Sequence, residues 1–246
     1  MKPLIIQSTH RPPEEIRPMH RGIQPTKRVL DIVLSGGALI VLLPFFGLIE
    51  LAIRLDSPGP VLYQQDRVGM DRRRADRRRR GAPAAEAAER RGSDRRGEDL
   101  AGRVFYIVKF RSMRQDAEKS GTPIWASKND PRVTRVGAFL RKTRLDELPQ
   151  LWNILKGEMS LVGPRPERPY FVKRLMEKFP GYRGRLQVPP GLTGLAQIER
   201  SYDEDIEEVR RKLAYDLFYI EHRHLLVDLK IIVQTVGVVL RRKGAH

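Results

Sequence analysis

Asp146 and Glu147 put two carboxylates side by side, and Lys109, Arg111, Arg141 and Arg165 supply cations in neighbouring stretches. That set suits phosphoryl transfer with a divalent metal. One carboxylate can attack phosphorus, the other can assist, and the metal and guanidinium groups can neutralise the charge that develops. The residues also have a plainer reading, because Asp-Glu is a common helix start and an arginine on a helix face is usually solvated. Other chemistries drop out early. The chain has no cysteine, so a thiolate nucleophile, a disulfide framework and cysteine metal sites are excluded. Its histidines (His10, His20, His222, His224 and His246) form no HExxH pair, and there is no Walker-type glycine loop.

The elements that must position these residues can be read from periodicity. Asp146 opens DELPQLWNILKG, predicted as a helix with Asp146 as N-cap and Pro149 in the first turn. Leu148, Leu151, Trp152 and Leu155 would face inward and Gly157 would close it. The dyad would then stand at a helix N-terminus, where the dipole favours a carboxylate and free N–H groups can hold phosphate. Before it, VTRVGAFLRKTR carries apolar residues at 133, 136, 139 and 140, a helical stripe backed by basic residues. VFYIVKF (Val104–Phe110) alternates as a strand, and VLYQQDRVG (Val61–Gly69) reads as its partner. Gly163-Pro164-Arg165-Pro166 is a rigid turn presenting Arg165, and VPPGLTGLAQ (Val188–Gln197) is a second punctuated loop. Ile206, Val209, Leu213, Leu217 and Ile220 form another helical stripe. The segment Leu225–Leu240 is apolar but contains Asp228 and Lys230, and reaches only about 24 Å as a helix. Packing on the core or lying in a membrane interface suits it better than spanning. The fold class expected is α/β, mostly helical with a small β hairpin.

A length of 246 residues suggests one domain of ordinary size, or one domain plus appendages, and the 40% hydrophobic content excludes wholesale disorder. A net charge of +17 points to an anionic partner: nucleic acid, an acidic membrane or a phosphorylated substrate. Part of that charge lies in residues 71–103, with 12 Arg, 7 acidic residues and almost nothing aliphatic larger than Ala. Such a segment reads as a solvated, disordered insertion, with a lipid-surface patch as the functional alternative; it lacks the aromatics that would stack on bases. Residues 1–26 read as a disordered leader without a cleavage pattern.

Residues 27–56 hold the one long apolar stretch. Between Asp31 and Glu50 lie 18 uncharged residues, roughly 27 Å as a straight helix against about 30 Å of bilayer core. Pro44 is expected to break or kink it, and basic residues flank both ends (Lys27, Arg28 and Arg54). The pattern fits a re-entrant helix that dips into one leaflet with both ends cytoplasmic; a single-pass anchor and a buried core helix are the alternatives. Residues 57–246 would form the cytoplasmic domain.

The run DPRVTRVGAFLRKTRLDELPQLWNILKGEMSLVGPRP (Asp130–Pro166) resembles the signature of the bacterial sugar transferases, the monotopic phosphoglycosyl transferases. YQQDRVG, FYIVKFRSM and PGLTGLAQ resemble further blocks of that family in the same order, over roughly Lys27 to Arg241 apart from the insertion. The resemblance implies transfer of a sugar 1-phosphate from a UDP-sugar to undecaprenyl phosphate, with UMP released, through a covalent phosphosugar–aspartyl intermediate and with Mg²⁺. Asp146 would be nucleophile and metal ligand, and Glu147 would assist as a metal or acceptor-phosphate partner. Lys109, Arg141 and Arg165 match phosphate-binding positions, and Arg200 falls near the family's late phosphate-binding arginine. It also implies residence at the bacterial inner membrane, with the catalytic domain on the cytoplasmic face and C-terminal amphipathic helices in the interface. Downstream glycosyltransferases, and no nucleic acid, would be the partners.

Two features depart from the family pattern. Leu43 stands where a serine often precedes the break proline, and LAQIER is one residue shorter than the usual stretch after PGLTG. The rival is a non-enzymatic binder of membrane or nucleic acid whose function follows the Arg-rich run and survives Asp146→Asn.

Overall fold

The computed structural model describes residues 24–71, 100–115, 117, 130–199 and 206–240. The predicted leader up to residue 23, residues 72–99 of the insertion, and Arg200 lie outside the described residues. Helix α1 (Pro25–Asp56) is followed by the antiparallel pair β1 (Leu62–Val68) and β2 (Val104–Phe110). Then come α2 (Arg135–Thr143), a 3-10 turn (Leu145–Glu147), α3 (Gln150–Lys156) and β3 (Ser160–Val162). The chain continues through α4 (Pro169–Lys178), a 3-10 segment (Pro180–Gln187) and β4 (Gly191–Thr193). It ends in α5 (Leu195–Glu199), α6 (Ile206–His222) and α7 (Leu225–Leu240). The fold is mostly helical with the predicted hairpin. It also holds a pairing that the sequence does not announce: β3, just ahead of the Gly163–Pro166 turn, and β4, inside the predicted 188–197 loop, run in parallel, Ser160 opposite Gly191 and Val162 opposite Thr193.

Three apolar clusters hold these elements. The largest packs Val162, Val172, Leu213, Leu217, Ile220 and Ile231 between β3, α4, α6 and α7, so Val209, Leu213, Leu217 and Ile220 of the predicted α6 stripe do face inward. A second joins Phe105 and Ile107 of β2 to Leu151 and Ile154 of α3, with Ala38, Leu39 and Leu42 of α1 against them. A third sets Phe110 and Leu140 on Ile53, flanked by Phe46, Ile49 and Leu145. The catalytic candidates thus sit where α2, α3 and β2 meet over the middle of α1.

Helix α1 corrects one expectation. The break expected at Pro44 is absent: one continuous helix of 32 residues, about 48 Å of helical rise, passes through that proline. A proline removes one i→i−4 hydrogen bond, and a helix held along its length tolerates that loss. It is held at both ends. Lys27 pairs with Asp228 of α7 at 2.7 Å, and Asp31 Oδ1 accepts from Ser160 Oγ and Leu161 N. At the other end, Asp56 Oδ2 accepts from Val136 N of α2. The face turned away from the domain is apolar and open, with Val33, Ile40, Val41, Leu43, Leu48 and Leu55 all exposed.

The insertion has an ordered neck. Gly69 N donates to Arg103 O at 2.8 Å and Asp71 N to Leu186 O at 2.7 Å. Asp71 and Ala101 are buried, so the boundaries at 71 and 103 are drawn too wide at both ends.

Candidate active site

The dyad does not begin a helix, and Asp146 is not an N-cap. Arg144 adopts a left-handed conformation (φ 60°) after α2, and Leu145–Glu147 then coil as a tight 3-10 turn. Pro149 explains the difference. Having no N–H, it cannot donate to Leu145 O, so the α ladder cannot extend back through the dyad, and i→i+3 bonds (Leu148 N to Leu145 O, Trp152 N to Pro149 O) take over. Pro149 itself becomes the N-cap of α3, and Gly157 ends that helix at φ 78°, as its position predicts. The inward face of α3 shifts accordingly. Leu151 and Ile154 are buried, while Trp152 is 52% exposed, as is Phe139 of α2 at 59%.

Coiling inward buries both carboxylates, at 7% exposure each. Their partners are unequal. Glu147 Oε1 accepts from Lys109 Nζ at 3.0 Å and from Arg165 Nη2 at 2.5 Å, and Oε2 accepts from Arg165 Nη1 at 3.4 Å. Asp146 Oδ1 is buried and accepts from nothing. Titration follows this split. Burial, and then the charge of Glu147, push the Asp146 carboxyl up to about 6. Burial also acts to raise Glu147, but Arg165 and then Lys109 outweigh it and hold its carboxyl well below the usual range. Lys109 is lowered by burial, an effect Glu147 partly offsets.

Each cation has a defined seat. Lys109 lies near the end of β2 opposite Tyr63, and Arg141 stands on the last turn of α2, where its charge favours ionised Asp146. Arg165 is held by its turn, whose carbonyls are clamped: Arg185 Nη2 donates to Arg165 O and Arg67 Nη1 to Pro166 O, both at 3.0 Å. Gly163 begins this turn, and a Cβ there would lie 2.5 Å from Pro189 O, so only glycine fits. Arg111 belongs elsewhere. It is 6% exposed and donates to Ser57 O, Pro58 O and Ile53 O at the C-terminal end of α1. There it closes a helix end, where free carbonyls attract a guanidinium. Arg67, unremarked in the sequence, joins the cluster, since its charge acts on Lys109. Strand alternation carried the signal, because residues 63, 65 and 67 share the face of Lys109 in the hairpin register.

For a divalent metal, Asp146 fits: a buried carboxylate oxygen without a partner is the donor that a hard cation takes. Glu147 fits less well, because its oxygens already accept from Lys109 and Arg165.

The sequence profile of the bacterial sugar transferases matches residues 23–77 and 81–242. A UDP-N-acetylgalactosamine-undecaprenyl-phosphate N-acetylgalactosaminephosphotransferase of Aeromonas hydrophila is 38% identical over 224 residues, covering 89% of this chain and 45% of that protein. A UDP-glucose:undecaprenyl-phosphate glucose-1-phosphate transferase of Caulobacter vibrioides is likewise 38% identical over 224 residues, covering 89% and 72%. An exopolysaccharide production protein of Rhizobium leguminosarum bv. phaseoli is 38% identical over 221 residues, covering 88% and 96%. The chain spans less than half the length of the larger curated relatives that it matches. A profile that runs through α1, the hairpin, the dyad and α7 leaves one assignment: the chain belongs to the bacterial sugar transferase family.

Proposed function

We propose that the chain transfers a sugar 1-phosphate from a UDP-sugar to undecaprenyl phosphate by a two-step route through Asp146. The observation that carries this reading is the inequality of the dyad: Asp146 has a buried oxygen without a partner, beside a Glu147 committed to Lys109 and Arg165. In the first step an Asp146 oxygen bonds to the phosphorus that bears the sugar. The bond from that phosphorus to the bridging oxygen breaks, and UMP leaves with the electron pair. In the second step a phosphate oxygen of undecaprenyl phosphate bonds to the same phosphorus, and Asp146 departs as the carboxylate. Lys109, Arg141 and Arg165 bind phosphate oxygens and stabilise their charge; Glu147 holds Lys109 and Arg165 at that spacing. Mg²⁺, held by Asp146, supplies charge neutralisation at the diphosphate when bound.

Helix α1 provides the acceptor's setting. Both of its ends are tied to the same domain while its opposite face is apolar and exposed, which supports embedding in one leaflet over a crossing helix. The domain would then stand on the cytoplasmic face of the inner membrane, where a lipid-anchored phosphate meets Asp146 at headgroup depth and hands its product to downstream glycosyltransferases. Relatives with equal identity carry different sugars in their names, so the donor is settled by experiment. UMP release is measured from a panel of UDP-sugars with Mg²⁺ and undecaprenyl phosphate, wild type beside Asp146→Asn. Release with one donor, lost in the variant, is expected. Release that persists in Asp146→Asn would sink the covalent route, and no release from folded wild type would sink the transferase reading.

A further inference from the structure

Asn153 is completely buried on α3, one position past the exposed Trp152, and its carboxamide is fully used. Oδ1 accepts from Val108 N at 3.1 Å, and Nδ2 donates to Tyr106 O at 2.7 Å and to Glu158 Oε2 at 2.8 Å. Tyr106 and Val108 lie on the edge of β2 that faces away from β1, in a sheet of only two strands. A residue of a neighbouring parallel strand would bond the carbonyl of one residue and the N–H of the second one along, and the Asn153 side chain does the same with 106 and 108. It stands in for a third strand. The helix that follows the dyad is thereby pinned to the strand that carries Lys109, the residue after Val108.

We infer that Asn153 is a positioning residue for the transfer reaction: by fastening β2 to α3 it sets the Lys109–Glu147 spacing, and with it the place of the Lys109 charge at the donor phosphate. This rests on the phosphoglycosyl-transfer reading above. A carboxamide is required, because only a planar group with donor and acceptor at one end satisfies both backbone groups. Aspartate has the same shape but turns a carboxylate oxygen toward Tyr106 O and the Glu158 carboxylate, which pushes strand and helix apart. Misplacing a reacting group by about 1 Å costs on the order of 10²-fold in rate.

The test is a double-mutant cycle on kcat/KM, read as UMP release with undecaprenyl phosphate and a radiolabelled donor. Asn153→Asp is made in the wild-type and Lys109→Met backgrounds. If Asn153 acts through Lys109, Asn153→Asp lowers kcat/KM by roughly 30-fold in wild type and by less than about threefold once Lys109 is gone, a coupling of ordinary size for residues in one network. Equal losses in both backgrounds overturn the inference, since a general structural role would not distinguish them. Glu158→Gln, which keeps both backbone bonds, is expected within about twofold of wild type. Should Asn153→Asp not fold, Asn153→Ser carries the same cycle, and failure of both to fold overturns positioning in favour of a folding requirement. A wild-type control without UMP release would instead implicate the transfer reading.

Discussion

Two buried charge clusters, one at Lys27 and Asp228 and one at Asp146 and Glu147, are built on different plans. Where α1 meets α7, the buried charges Lys27, Asp31 and Asp228 all have partners. Lys27 pairs with Asp228 Oδ2 at 2.7 Å, Asp228 Oδ1 accepts from the Tyr219 hydroxyl at 2.7 Å, and Asp31 accepts from Ser160 and Leu161. At the 3-10 turn the pairing is lopsided: two cations converge on Glu147 while Asp146 Oδ1 has none. Saturated networks hold elements together; a buried carboxylate oxygen without a partner leaves a lone pair for a ligand, an ion or water to take. The first cluster fastens the apolar helix to the domain, and the second, on the proposed route, keeps a carboxylate ready to attack.

The contrast is broken most sharply by Asp146→Asn. Turnover is expected to fall by about 10⁴-fold or more, as for loss of a covalent nucleophile. The melting temperature at pH 8 should stay level or rise, because a buried carboxylate without a partner is removed. Loss of stability comparable to loss of activity would mean that Asp146 is structural after all. Asp228→Ala is expected to do the opposite. It strands Lys27 in the interior and should cost about 3–5 kcal/mol, whereas Lys27→Met with Asp228→Leu should recover most of that loss.

A pH titration sharpens the same difference at intermediate size. On the proposed route Asp146 must be ionised to attack, so kcat/KM at low Mg²⁺ should fall toward tenfold per pH unit below an inflection near 6, and rising Mg²⁺ should move that inflection lower. Stability has the reverse sign at this residue. Its folded pKa lies above the unfolded 3.8, so the fold binds more protons than the unfolded chain and loses stability as pH rises from about 4 to 6. Glu147 is depressed, so its contribution is present above its unfolded value of 4.5 and is lost as pH falls through its folded one. Asp146→Asn should therefore remove the first slope and spare the second.

What could be read from the sequence divides along physical lines. Hairpin, α6 and α7 were legible because alternation and 3.6-residue stripes report burial directly. The dyad was legible as a pair, but its setting was not, because the absent N–H of Pro149 acts at Leu145, four residues back. The outward turn of Trp152 and Phe139 was hidden for a related reason: hydrophobicity says that a residue wants cover, not that the cover is protein. The seat of Arg111 was not legible, since a guanidinium suits phosphate and helix carbonyls equally, and only the fold brings it to the carbonyls of Ser57 and Pro58. Arg111→Met puts that to a smaller test. It should cost about 1–3 kcal/mol by orphaning carbonyls, with the donor KM unmoved. A tenfold rise in KM at unchanged melting temperature would return Arg111 to the phosphate site.

The smallest effect is expected from the most charged segment. Residues 72–99 are flanked by Asp71 and Leu100, and the chain is already closed just inside that point: Gly69 N donates to Arg103 O, and Gly102 comes so near that a Cβ would sit 2.2 Å from Gly69 O. The hairpin is therefore complete without the segment, and replacing 72–99 with a short Gly-Ser turn shortens a loop whose closure entropy changes only slowly with length. Turnover in detergent should stay within about threefold of wild type. The same deletion read on anionic vesicles asks a different question, because residues 72–99 hold eleven arginines against six acids. Unchanged vesicle binding would leave membrane attachment to the apolar face of α1, whereas binding lost together with turnover would show that the charged segment, and not only the saturated cluster at Lys27, keeps Asp146 at the depth of its acceptor.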